Sequence, residues 1–142
     1  MIQFAKLFFK RKYYIYLPLI IYWIILFIAT TIPGKSLPPI GVSDKINHLV
    51  AYFILTVMLD LTFLAQQSID ILRRYSVQFA ILTAAVYGII DEIHQSFIPG
   101  RSCDFYDWIA DIIGASLTFF VYKYFFKPKL RDQKIIPENM EP

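Results

Sequence analysis

The stretch YYIYLPLIIYWIILFIATTIPG, residues 13–34, contains no charged side chain and decides the fold class of this chain. It exceeds the ~18–20 apolar residues that an α-helix needs to cross a hydrocarbon core of ~30 Å. A cleaved signal peptide is the alternative, because four basic residues precede the stretch. However, the apolar run is longer than the ~7–15 residues of a signal-peptide core, and no A-x-A-like cleavage site follows it. The sequence therefore predicts a retained membrane anchor.

The composition of the 142-residue chain favours the same class. Hydrophobic residues make up 57% and aromatic residues 18%, with a mean hydropathy of +0.51, whereas soluble domains are about 45–50% apolar. A single cysteine excludes a disulfide scaffold, a zinc ribbon and a paired-cysteine redox motif. The net charge of +3 is too small to indicate nucleic-acid binding. We expect the lipid bilayer to be the main partner, and no nucleic acid.

Three further segments predict membrane helices if acidic residues are allowed inside the helix ends. Their charge-free runs are shorter than a membrane span, and a soluble helical domain behind one anchor is the alternative. The segments are apolar on nearly every helical face, which favours lipid contact. The prediction is an all-α integral membrane bundle of four transmembrane helices within residues 13–126. The spans are expected at about 14–32, 45–64, 76–97 and 105–126.

The distribution of basic residues predicts the orientation. Four lysines and arginines precede the first span, two lie between the second and third, and five lie at the end of the last span or after it. Lys35, Lys45 and Arg101 lie on the other side. The positive-inside rule therefore places both termini in the cytoplasm, as in a multi-pass protein of the plasma membrane. Residues 1–12 are expected to form a basic amphipathic segment at the membrane surface, and residues 127–142 a disordered cytoplasmic tail.

Ionisable residues on three of the predicted helices fall at one depth. His48, Glu92 and Asp111 each lie about four to six residues inside the outward end of their span, or roughly 6–9 Å deep. Such residues are costly in lipid and normally face a bundle interior or a wet cavity. Helical spacing aligns other polar residues with them, namely Asp44, Tyr52, Gln95, Asp104 and Asp107.

Two kinds of chemistry fit this outward-facing polar layer. In the first, Glu92 or Asp107 acts as a general acid or base together with His48, and Arg101 binds an anionic group. In the second, His48, Glu92, Asp107 and Asp111 are candidate ligands of a divalent cation. One histidine among several carboxylates suits Mg, Mn or Ca better than structural zinc.

A third alternative is that the polar layer only joins the helices. Arg101 would then pair with Asp107 or Asp104, and Lys45 with Asp44. Small residues at every fourth position predict close contact between the third and fourth spans. They are Ala80, Ala84 and Gly88 on the third span, and Ala110, Gly114 and Thr118 on the fourth.

Two segments resemble the VanZ-like family of small membrane proteins. They are SDKINHLVAY, residues 43–52, and YGIIDEIHQSFIPGRSCDFYDWIADIIGA, residues 87–115. The motifs D-K-x-x-H-x-x-x-Y and D-E-x-x-Q-x-x-x-x-x-R-x-x-x-x-x-D occur in them in the order seen in the family, and the resemblance covers residues 28–122. Family members often have Asn where this chain has Asp111. The family's polar positions correspond to Asp44, Lys45, His48, Tyr52, Glu92, Gln95, Arg101 and Asp107.

The resemblance implies a link to low-level resistance to teicoplanin, a lipoglycopeptide that binds cell-wall precursors outside the membrane. We therefore expect a site that binds or modifies an anionic cell-envelope molecule, such as a lipid-linked precursor. The alternatives are a non-enzymatic accessory protein with a structural polar layer, and a small transporter subunit. The sequence leaves open whether the chain is an enzyme, and its oligomeric state. The candidate catalytic residues are His48, Glu92 and Asp107, and the candidate ligand-binding residues are Asp44, Lys45, Tyr52, Gln95 and Arg101.

Overall fold

A computed structural model describes residues 13–34, 43–66 and 68–126, and over these residues all regular structure is helical. This confirms the all-α prediction for the described part of the chain. The predicted amphipathic segment 1–12 and tail 127–142 lie outside the described residues. The helices are α1 (Tyr13–Thr31), α2 (Asp44–Leu64), α3 (Asp70–Arg74), α4 (Ser76–Gln95) and α5 (Phe105–Val121), and a π-helical turn (Tyr122–Phe126) continues α5.

Three of these helices, α1, α2 and α4, are long and apolar enough to cross a membrane. They contain 19, 21 and 20 residues, which correspond to about 30 Å of helix each. The fifth helix, α5, has 17 residues and is about 26 Å long. It reaches the length of a span only together with the π-helical turn, so three of the four predicted spans are supported by length and composition.

The helices α2, α4 and α5 pack against one another, and α1 lies against α2 and α4. Two aromatic side chains of α1 fix its position. The Tyr22 hydroxyl donates to the Ala51 carbonyl at 3.0 Å, and Trp23 meets Tyr87 edge to face, with ring centroids 5.1 Å apart. The buried apolar core contains Leu19, Leu26, Tyr52, Leu55, Leu59, Ala80, Ala84 and Ala115.

The distribution of polarity is the reverse of that in a soluble protein. Large aliphatic side chains cover the outside of the helices and are about half exposed, among them Ile24, Leu82 and Ile90. Carboxylates lie inside, and those of Asp60, Asp91, Glu92, Asp107 and Asp111 are all buried. Lipid solvates the apolar exterior at no cost, whereas ionisable groups are excluded from it. The arrangement is therefore that of a membrane protein.

Two glycines allow close helix packing. A side chain at Gly88 of α4 would approach Asp111 Oδ2 to 2.8 Å, which confirms the predicted contact between the third and fourth predicted spans. A side chain at Gly114 of α5 would instead overlap the backbone carbonyl of Leu49 in α2. The small residues of α5 therefore serve contact with α2 as well as with α4.

A turn joins α4 to α5 and contacts the chain after α1. Gly100 adopts a φ of 77°, a left-handed conformation that glycine adopts without strain. The Gly34 N–H donates to the Pro99 carbonyl at 3.2 Å. The Pro99-Gly100 turn thus also anchors the chain that follows α1.

Substitution of Gly114 tests the close approach of α5 to α2. We expect Gly114→Ala to lower the free energy of unfolding by about 1–3 kcal/mol, because backbone atoms cannot move aside as a side chain can. The measurement is reversible unfolding of the purified protein in detergent, followed by circular dichroism. Ile113→Ala, at an exposed neighbouring position, is the control and should change stability less. Equal stability of Gly114→Ala and the wild type would contradict the packing.

Candidate functional site

Most of the buried polar side chains of the described residues lie at one end of the bundle. Because neighbouring helices run in opposite directions, the start of α2, the end of α4 and the start of α5 meet there. We call the buried trio His48, Glu92 and Asp111 the polar centre. Each of the three helices contributes one member, and their exposed fractions are 7%, 4% and 0%. The equal depth that the sequence predicts for His48, Glu92 and Asp111 thus corresponds to direct proximity of their side chains.

The polar centre is organised around the His48 imidazole. Its Nδ1 lies 2.9 Å from Asp111 Oδ1 and 3.9 Å from Glu92 Oε1. The other Glu92 oxygen, Oε2, accepts a hydrogen bond of 2.7 Å from the Asp104 backbone N–H. The His48 ring also stacks on Tyr52, with centroids 6.3 Å apart. A single imidazole therefore lies between two carboxylates, an arrangement that can share a proton or bind a cation.

Lys45 lies at the rim of the polar centre. Its ammonium group donates to Asp104 Oδ2 at 2.9 Å and to Asp107 Oδ1 at 3.0 Å. The Lys45 side chain is 47% exposed, so it is accessible despite both pairs. Asp104 also caps α5 by accepting from the Tyr106 N–H at 2.8 Å. The hydrogen bond from Lys45, aided by that cap, lowers the pKa of the Asp104 carboxyl below its ordinary value.

Arg101 ties the turn before α5 to the end of α1. Its Nε donates to the Ile32 carbonyl and its Nη2 to the Ala29 carbonyl, both at 3.3 Å. Its Nη1 lies 3.5 Å from both Gln95 Oε1 and Asp44 Oδ2. The carbonyls at the C-terminal end of a helix lack intrahelical donors, so a guanidinium group stabilises that end. In the structure Arg101 therefore holds α1 in place.

The ion pairs expected for a purely structural layer are wrong in their partners. Lys45 pairs with Asp104 and Asp107, whereas Arg101 lies near Asp44. The reason is helical geometry, since consecutive residues of α2 point about 100° apart. Asp44 therefore faces the turn that carries Arg101, while Lys45 faces the start of α5.

A second buried polar group lies beside the polar centre. Asp91 Oδ2 accepts from the Tyr52 hydroxyl and from Gln95 Nε2, both at 3.3 Å. Tyr52 and Gln95 thus contact Asp91 directly. Asp91 is 4% exposed and was not among the predicted site residues, although its spacing of four from Gln95 placed both on one face.

Asp111 is the other residue that the site prediction underrated. The sequence predicts it only as a candidate cation ligand, yet its Oδ1 lies 2.9 Å from His48 Nδ1, closer than the Glu92 carboxylate does at 3.9 Å. The i, i+3, i+7 spacing of Asp104, Asp107 and Asp111 was the signal that placed it on the polar face. His94 lies apart from the centre and stacks on Phe27, with ring centroids 4.9 Å apart.

Among the described residues, two sets of side chains present donor atoms within 4.8 Å of one another, close enough to hold a metal ion together. One is the polar centre itself. The other joins Asp44, His48 and Asp107, but Asp44 is exposed and Asp107 already binds Lys45. The polar centre is therefore the better candidate for a cation.

The fold and the site together define a small helical membrane protein whose buried ionisable groups gather at one end of the bundle. The VanZ/LLP1 family model matches residues 7–127. The chain therefore belongs to the VanZ/LLP1 family, which confirms the resemblance drawn from the polar motifs.

The chain is also similar to an uncharacterized protein of Schizosaccharomyces pombe, C11E3.10. The two are 29% identical over 113 residues, which cover 79% of this chain and 66% of the relative. No solved structure gives a significant match. The family and this relative fix the kind of protein, and the chemistry of the site has to be argued from its own geometry.

Replacement of Arg101 tests its contacts with α1. We expect Arg101→Lys to lower the free energy of unfolding by about 1–3 kcal/mol, because an ammonium group cannot reach both carbonyls and Gln95 together. The measurement is unfolding in detergent. Arg73→Lys makes the same substitution at the exposed Arg73–Asp70 pair and should cost less than about 1 kcal/mol. If both variants lose the same small amount, Arg101 does not hold α1.

Proposed function

We propose that the chain is a four-span protein of the plasma membrane, with both termini in the cytoplasm and the polar centre near the outer surface. The fourth span is α5 extended by the π-helical turn (Tyr122–Phe126). The excess of lysine and arginine before residue 13, between α2 and α4, and from residue 123 onward supports the orientation. The chain from residue 13 to residue 126 then forms one membrane domain.

We further propose that this end of the protein binds or modifies the anionic part of a cell-envelope molecule, such as a lipid-linked precursor. Among the described residues at this end, Lys45 is the cation that an incoming anion can reach, because it is half exposed at the rim. Glu92 and His48 lie behind it, where a buried carboxylate and imidazole can exchange protons with a bound group. Such a site would contribute to teicoplanin resistance, as the resemblance to the VanZ-like family implies.

The roles of the other predicted residues follow from their contacts. Asp107 orients Lys45, and Arg101 positions the turn that carries Asp104. Tyr52 and Gln95 hold Asp91 beside the polar centre. These residues are thus positioning residues in the proposal, whereas Lys45, Glu92 and His48 face the ligand.

One observation carries the proposal. Glu92 Oε1 and Asp111 Oδ2 are buried and have no hydrogen-bond partner in the described part of the chain. A network that only joins helices satisfies its buried atoms, since an unpaired buried acceptor costs about 1–3 kcal/mol. Unpaired oxygens on two of the three helices favour a ligand-binding site. They argue against an accessory protein whose polar layer is only structural.

Resistance measurements separate these alternatives. We expect Glu92→Gln and Lys45→Gln, expressed in a Gram-positive host, to lose the rise in teicoplanin minimal inhibitory concentration that the wild type confers. Membrane abundance, measured by immunoblot in the same cells, should stay within about twofold of the wild type.

Asp60→Asn is the matched control. Asp60 is 1% exposed and accepts a 2.6 Å hydrogen bond from Ser76 at the start of α4, the end opposite to the polar centre. Like Glu92→Gln, Asp60→Asn replaces a buried carboxylate by a neutral amide, and we expect this variant to keep its resistance. A fall of resistance and abundance together in the Glu92 and Lys45 variants would show a structural layer. Full resistance in both variants would exclude the proposed site.

A further inference from the structure

The polar centre has the donor set of a cation site. His48 Nδ1, one oxygen of Glu92 and one of Asp111 all lie within 4.8 Å of one another. His48 Nδ1 lies 2.9 Å from Asp111 Oδ1 and 3.9 Å from Glu92 Oε1. Ligands about 2.1 Å from one ion lie roughly 3.0–3.4 Å apart, so small side-chain movements would complete the geometry.

A second, independent observation points to a ligand. Glu92 is 96% buried, as its exposed fraction is 4%, and its Oε1 has no hydrogen-bond partner among the described residues. The Asp104 N–H holds Oε2, so the carboxylate is fixed with Oε1 on the His48 side. A carboxylate oxygen aimed at an imidazole nitrogen but too distant to bond it leaves space for an ion between them.

Charge also favours a cation. Four buried carboxylates lie at this end, those of Asp91, Glu92, Asp107 and Asp111. Lys45 pairs only with Asp107 among them, and His48, when protonated, balances only one more, Asp111. Uncompensated negative charge in a low-dielectric bundle is unfavourable, and it would repel the anionic ligand proposed above. A divalent ion bound here removes both difficulties.

We propose that His48, Glu92 and Asp111 bind one divalent cation of the Mg²⁺ and Mn²⁺ class. This inference rests on the proposed function for its purpose, because the ion would offer its open positions to an anionic headgroup beside Lys45. Two carboxylates and one imidazole suit Mn²⁺, which accepts oxygen and nitrogen ligands. The set differs from a structural zinc site, which is closed by four protein ligands.

The test uses the full chain purified in detergent and titrated with Mn²⁺ alone. Free Mn²⁺ gives a strong electron paramagnetic resonance signal that is lost on binding, so the bound fraction is read directly. We expect one ion per chain, and at least about tenfold weaker binding by Glu92→Gln and Asp111→Asn. Excess Mg²⁺ should displace the bound Mn²⁺.

Two controls make the assignment specific. Asp44→Asn alters the alternative donor set, and Asp60→Asn alters a buried carboxylate at the far end. Both should bind Mn²⁺ as the wild type does. If the polar-centre variants fail to fold, pulsed electron paramagnetic resonance of the wild type still decides, because bound Mn²⁺ must show a nitrogen coupling from His48.

The outcomes distinguish this inference from the proposed function. Absence of Mn²⁺ binding at millimolar concentration, or a bound ion without nitrogen coupling, overturns the metal site whatever the resistance data show. Undiminished binding by Asp111→Asn and Glu92→Gln also overturns it. Conversely, Mn²⁺ binding at His48 together with full resistance in Lys45→Gln and Glu92→Gln would support the metal site and refute the proposed envelope ligand.

Discussion

The contact between the backbones of α5 and α2 is the constraint on which the polar centre depends. Gly114 lies directly against the Leu49 carbonyl, with no space for a side chain. Leu49 follows His48, and Gly114 lies one helical turn after Asp111. The glycine therefore sets the distance at which the imidazole meets the carboxylate, 2.9 Å. A larger residue would separate the helices and the two functional groups together.

The bilayer makes this proximity energetically important. Lipid surrounds the isoleucine-rich exterior and offers nothing to a carboxylate, so every ionisable group in the spans must find its partner inside the bundle. At the rim, Lys45 and Asp104 are still accessible to water. The polar centre is buried from water, and two of its carboxylate oxygens have no hydrogen-bond partner among the described residues. Either a proton or a cation has to compensate them.

The sequence predicted the helices well because the bilayer enforces simple rules. A long charge-free run places α1, and shorter apolar runs extended past acidic residues place α2 and α4. Equal depth predicted that His48, Glu92 and Asp111 would meet. Asp107 and Asp111 interrupt the apolar run of α5. Its α-helical part ends at Val121, where the π-helical turn begins.

The pairing of charges could not be predicted in the same way. It depends on the rotation of each helix about its axis, which apolar runs do not determine when all faces are apolar. That rotation directs Lys45 toward α5, where it pairs with Asp107, while Arg101 donates hydrogen bonds to carbonyls at the end of α1. It also makes Asp111 a member of the centre, although family resemblance alone favoured other positions.

The proposed orientation places the polar end of the bundle at the outer surface of the cell. Cys103 is the one cysteine in the chain and is exposed in the turn before α5. A membrane-impermeant maleimide should therefore label the wild type in intact cells. A Cys103→Ser variant carrying Ser68→Cys, in the loop at the other end, should be labelled only after permeabilisation. The reverse pattern would place the polar centre at the cytoplasmic surface and contradict the account.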